Sequence, residues 1–120
     1  MEPKRVLIVD DEEALANALG RFIAARGFDV AVALTGAEAL ARLAADGCDA
    51  VFLDNGLPDR IGLSLIPEIR KGSDAVIIMM TGYAAREEET DARLLGASAF
   101  LQKPFDFDVV AKLLDALPRR

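Results

Sequence analysis

Five polar side chains of this sequence stand where chemistry could be done. VLIV leads into Asp10 and Asp11, AVFL into Asp54 and AVIIMM into Thr81, while AFLQ stops just before Lys103. If those apolar runs are parallel strands, their carboxyl ends share one edge, and three carboxylates, a hydroxyl and an ammonium meet in one crevice. Carboxylates favour a hard cation, and an ammonium beside a hydroxyl favours phosphoryl oxygens, so the crevice suits a metal ion and a phosphoryl group.

The elements that must position these residues are legible in the spacing. Five short runs rich in β-branched or aromatic residues alternate with longer stretches of helical period, the pattern of repeated strand–helix units around a parallel sheet. Strands are expected at about 5–9, 28–32, 50–53, 75–79 and 99–101, nearly continuous in apolar character and so suited to burial on both faces. The first helix should turn Leu15, Leu19, Phe22 and Ile23 inward and stop at Gly27. Thr35 and Glu38 fit a capping box for the second, which buries Leu40 and Leu43 and stops near Gly47.

A third helix is expected over 63–71, stopped by Gly72. The fourth, at about 86–95, opens on Glu87, Glu88 and Glu89 and closes before Gly96; its apolar stripe is the thinnest, which marks it as the most movable. The last begins after Asp106 as a cap, presents Phe107, Val110, Leu113, Leu114 and Leu117, and ends at Pro118. With no repeat and no linker, residues 1–120 read as one domain.

Composition excludes several classes of function. The 120 residues are 52% hydrophobic, ample for a core, and carry a formal charge of -6 with no histidine. No imidazole is on hand as base, nucleophile or ligand, and scattered Lys and Arg argue against direct nucleic-acid binding. The one cysteine, Cys48, cannot form an internal disulfide and reads as a small core filler. Met79 and Met80 read as core as well. No run is long enough to span a membrane, so a cytoplasmic protein is expected.

Two compact topologies fit five such units, a classical dinucleotide-type sheet and the flavodoxin-like α/β order 2-1-3-4-5 with helices on both faces. The loop after the first strand separates them. Asp10, Asp11, Glu12 and Glu13 would repel a bare phosphate and attract a cation. In the 2-1-3-4-5 order, Asp10 and Asp11 come beside Asp54, and three crowded carboxylates need either a cation or a proton. Mg²⁺ is the natural cation, being usually held by one or two carboxylates plus phosphate. One carboxylate can then serve as a nucleophile toward phosphorus, with Lys103 and Thr81 available to the phosphoryl oxygens.

These residues closely resemble the receiver domain of two-component response regulators, of the chemotaxis-receiver type. The matching pieces are VLIVDDEE, VFLDNGLPDRIGLSLIPEIR, IIMMTGYA and GASAFLQKPFD, which together cover essentially the whole chain. The resemblance implies that Asp54 is the phosphoacceptor, that Asp10 and Asp11 hold Mg²⁺ directly or through water, and that the Gly56 carbonyl is a further ligand. Thr81 matches the switch hydroxyl, Lys103 the phosphate-pairing lysine and Phe100 the aromatic switch residue. The Lys103–Pro104 bond matches one that is usually cis. Asn55 departs from the usual apolar residue after the acceptor, and its amide either touches the site or faces the flanking loop. Gly56 and Tyr83 occupy the two variable positions that influence phosphate lifetime.

The implied partner is a histidine kinase or histidine phosphotransfer protein, which must supply the histidine this chain lacks. The implied output is a reshaped surface of the fourth helix, fifth strand and fifth helix, where a partner or a second copy docks. Two other readings compete: a docking module that works without phosphate, hinted at by Asn55, and a small phosphatase with an aspartyl-phosphate intermediate. Haloacid dehalogenase-like phosphatases want an acid two residues after the nucleophile, and that position here is Gly56.

Overall fold

Each apolar run forms a strand. β1 (Arg5–Val9), β2 (Asp29–Ala33), β3 (Ala50–Asp54), β4 (Val76–Thr81) and β5 (Ala99–Gln102) pair in parallel in the order β2-β1-β3-β4-β5. The connections are α1 (Glu13–Ala25), α2 (Gly36–Asp46), a 3₁₀ turn (Gly62–Leu65) running into α3 (Ile66–Gly72), and α4 (Arg86–Leu95), with α5 (Phe107–Asp115) closing the chain. This computed structural model describes residues 4–82 and 86–117, and no side chain at 86–88. Expectations for Tyr83, for Pro118 and for the Glu87 and Glu88 side chains lie outside the described residues.

Burial on both faces follows from the strand period of two. Leu7, Val9, Val51, Leu53, Ile77 and Met79 pack with Ala39 of α2, Ile66 and Ile69 of α3 and Ala92 of α4. The intervening residues Val6, Ile8, Phe52, Ile78 and Met80 pack with Ala16, Leu19 and Ile23 of α1 and Val110 and Leu114 of α5. Cys48 is half-buried against the first of these clusters, and burial, aided by the charge of Asp49, pushes its thiol pKa up to about 11. Such a thiol is inert at neutral pH, as a filler should be.

The differences from expectation have local causes. β2 begins at Asp29, which pairs with Arg5 and donates to the Lys4 carbonyl at 2.9 Å, leaving Phe28 outside the strand. Ala75 stays outside β4 because its N–H donates to Ser73 Oγ at 3.0 Å and its carbonyl accepts from Arg70. β3, β4 and β5 each run further than expected, to Asp54, Thr81 and Gln102, since Asp54 pairs with Met80 and Thr81 with Gln102. α3 starts at Ile66, so Pro67 falls in the first turn, where no N–H is needed. Gly72 is the last residue of that helix rather than its stop, and an extended Ser73 follows. On α1 the buried stripe is Ala16, Leu19, Gly20 and Ile23, which leaves Leu15 only partly covered.

Helix ends are satisfied in two ways. Gly27, Gly47 and Gly96 take φ of 95°, 67° and 121° just after α1, α2 and α4, conformations that a Cβ would resist. The α2 start is capped from within and from outside. Thr35 Oγ1 accepts from the Glu38 N–H at 3.0 Å, and Glu38 reaches back to the Leu34 N–H at 3.3 Å, one residue earlier than a standard capping box would. The two remaining donors, Gly36 and Ala37 N–H, bond to the carboxylate of Asp59 at 2.9 and 3.0 Å, across 23 and 22 residues of chain. By contrast, Asp106 occupies the cap position of α5 without a side-chain cap bond.

The Gly36 and Ala37 amides hold the Asp59 carboxyl below its ordinary pKa of 3.8. A lowered folded value means stability that is present above the unfolded pKa and lost as pH falls through the folded one. The urea midpoint of Asp59→Ala should therefore lie below that of the parent by a constant amount at neutral pH. That gap should begin to narrow below about pH 4 and go on narrowing as pH falls through the folded value; a gap that stayed equally wide through that fall would refute a role for the charged cap.

Candidate functional site

The carboxyl edge of the sheet assembles the five residues read from the sequence. Asp54 is the last residue of β3 and Thr81 the last of β4, and both are buried. Backbone bonds continue past the strand ends: Asn55 N–H to the Met80 carbonyl at 3.0 Å, Lys103 N–H to the Thr81 carbonyl at 2.7 Å, and Asp10 N–H to the Ala33 carbonyl at 3.0 Å. The backbone beneath Asp10, Asp54, Thr81 and Lys103 is thereby fixed from its neighbour.

Lys103 binds the carboxylates together. Its Nζ lies 2.7 Å from Asp10 Oδ2 and 3.2 Å from Asp54 Oδ1, with Glu12 Oε1 at 3.9 Å on the outside. The other oxygen of Asp10 accepts from the Glu12 N–H at 2.9 Å, so a side chain only 1% exposed has a partner on each oxygen. Asp10, Asp11 and Asp54 each offer one oxygen within 4.8 Å of the others. Two are buried and Asp11 is exposed, which leaves the cluster open on one side.

The electrostatics follow from this crowding. Burial, then the charge of Asp10, raises the Asp54 pKa, and Lys103 offsets part of the rise. For Lys103, burial pulls downward, but the hydrogen bond and charge of Asp10 together with those of Asp54 outweigh it and hold the ammonium above its usual range. The set is all oxygen and strongly anionic, with one side open, and it therefore fits a hard divalent cation.

Around Asp54 the loop is closely built. A side chain at Gly56 would begin 3.8 Å from Asp54 Oδ2, so this glycine places no side chain against that oxygen. Gly62 packs under the Asp54 carbonyl so tightly that any Cβ would collide with it. Asn55 faces the flanking loop, its Oδ1 accepting from the Leu63 N–H at 3.0 Å. Phe100 is half-buried, pairs with Met79 and packs on the α2–α3–α4 side. The Lys103–Pro104 bond is cis.

Sequence reasoning missed Glu12 as an outer partner of Lys103, and it missed the roles of Asp59 and Gly62. Asp59 follows Pro58 and carries only a turn signal. Nothing in the local pattern around Gly62 separates it from the other loop glycines.

The comparisons agree with this geometry. The family model for the response regulator receiver domain matches residues 6–115. The chain belongs to that family. This receiver is 35% identical to the response regulator MprA of Mycolicibacterium vanbaalenii over 98% of its own length and 52% of the relative's. It is also 35% identical to the transcriptional regulatory protein KdpE of Mycobacterium tuberculosis, over 96% and 51%. The chain thus spans about half the length of the curated relatives it matches.

Among solved structures, a receiver domain protein from Methanospirillum hungatei superposes with a TM-score of 0.88 at 30% identity, covering 94% of this chain and 92% of that one. A Burkholderia pseudomallei response regulator, described as having a phosphorylated aspartic acid, a calcium ion and citrate, gives 0.86 at 34%, covering 96% and 66%. Among the described residues, no helix of this receiver is long and apolar enough to cross a membrane.

Removing the ammonium should expose the cost of the cluster. Lys103→Gln, one atom shorter and uncharged, leaves the Asp10 and Asp54 charges facing each other. Unfolding free energy from urea titration without divalent metal should fall by about 1–3 kcal/mol, below the loss at a fully buried pair. An unchanged value would mean that the lysine contributes no net stability.

Proposed function

We propose that this receiver is a phospho-switch in which Asp54 accepts a phosphoryl group from a phosphohistidine on a histidine kinase or histidine phosphotransfer protein. The observation that carries this reading is a buried Asp54 at a strand end, with Lys103 Nζ 3.2 Å from one oxygen and Asp10 and Asp11 each offering an oxygen within 4.8 Å. The likeness to a response regulator with a phosphorylated aspartic acid and a bound divalent ion supports it.

In the reaction an Asp54 oxygen forms an O–P bond as the P–N bond of the donor breaks, and the leaving imidazole keeps the electron pair. Lys103 stays charged at neutral pH and pairs with a phosphoryl oxygen, exchanging part of its contact with Asp54. Thr81, one strand over, supplies a hydroxyl to the same group. Asp10, Asp11, Asp54 and the Gly56 carbonyl would hold Mg²⁺, whose charge, when bound, offsets that of the phosphoryl oxygens.

The product is a switch rather than turnover. Thr81 and Phe100 are the residues through which phosphorylation would reshape the face of α4, β5 and α5. On α4 and α5 respectively, Leu94 is 81% exposed and Val109 42%, apolar surface suited to a partner or a second copy. The phosphate-independent docking reading rests on Asn55 alone, whose Oδ1 accepts from the Leu63 N–H in the flanking loop.

Asp54→Asn should abolish acid-labile labelling by a small phosphodonor such as acetyl phosphate in the presence of Mg²⁺. Full labelling of that variant would remove Asp54 from the acceptor role.

A further inference from the structure

We infer that Asn55 is a positioning residue for the metal site, holding the Gly56 carbonyl in place through its side-chain bond to the Leu63 N–H. The inference rests on the acceptor reading above, in which that carbonyl is a metal ligand.

The residue that must present the carbonyl is glycine, which has the most backbone freedom of any residue and no side chain to limit it. Its φ is not positive, so nothing in the backbone conformation itself demands glycine here. Order at residue 56 must come from its neighbours.

Asn55 supplies most of it. Three of its groups are engaged: its N–H donates to the Met80 carbonyl at 3.0 Å, its carbonyl accepts from Gly62 at 2.8 Å, and Oδ1 accepts from Leu63 at 3.0 Å. The first ties residue 55 to β4. The other two close the loop on itself, so that Gly56 and Ile61 meet in an isolated antiparallel bridge.

Only the Oδ1 bond depends on the residue type. An apolar side chain at 55 would leave the part-buried Leu63 N–H without its acceptor and the loop closed by backbone bonds alone. Asp59, bonded to the α2 start, and Arg60, paired with Glu68 at 2.6 Å, anchor the far side of the loop. Residues 55 and 56 form its near side, and there the Asn55 amide is the side-chain tether.

Partners that orient a metal ligand without touching the metal commonly change affinity by tenfold or more when removed. Asn55→Ala should therefore weaken Mg²⁺ binding, followed by calorimetry with the metal alone, by about tenfold. Amide exchange at Leu63 should accelerate in the same variant. The rate of labelling by acetyl phosphate should need correspondingly more Mg²⁺ for half-saturation while reaching the parent's plateau, a split that general loosening of the fold would not produce. Asn55→Asp, which keeps an acceptor oxygen, should retain slow Leu63 exchange.

The parent separates the two levels of failure. If it binds no Mg²⁺, the metal-dependent acceptor reading falls and takes this inference with it. If it binds and Asn55→Ala binds equally well, the acceptor reading stands and the positioning role is overturned. A lowered plateau with unchanged half-saturation would also overturn it.

Discussion

The ammonium of Lys103, placed between Asp10 and Asp54, is the contact on which the site depends. Two buried carboxylates at adjacent strand ends repel, and their desolvation adds to the cost. A lysine brought in from β5 answers both charges with one group. The sheet order makes this possible: β1 and β3 are neighbours, and the segment after β5 reaches back over β4 to the pair. Without the cation the edge would hold unbalanced charge; with it, the edge is an ion cluster that, in the proposed reaction, a divalent cation and a phosphoryl group would rearrange.

That arrangement also divides labour between the carboxylates. Asp10 is fixed by partners on both oxygens, and its bond to Lys103 is shorter than the bond Asp54 makes. Asp54 is held by the longer contact, and Gly56 places no side chain against its second oxygen. Asp11 stands at the exposed rim. A rigid acid, a more loosely held one and an outer one come from residues of one chemical type through position alone.

Much of this is legible in the amino-acid sequence. Continuous apolar runs forced strands buried on both faces, and the polar residue closing each run marked the functional edge, so Asp10, Asp11, Asp54, Thr81 and Lys103 were found together. Bonds between distant segments were not legible. Asp59 caps a helix that starts 23 residues earlier, and no periodicity encodes such a pairing. The destination of the Asn55 amide was open for the same reason, since either side of the loop could have received it. Strand limits shifted by a residue or two because pairing partners, rather than apolarity, decide where a ladder ends.

The Asp59 cap has one more consequence. Because Gly36 and Ala37 donate to a carboxylate belonging to the loop between β3 and α3, their amide protons sense the position of that loop. A spectroscopist watching those two resonances at the far end of β2 would be watching the surroundings of Asp54, with no label placed in the site itself.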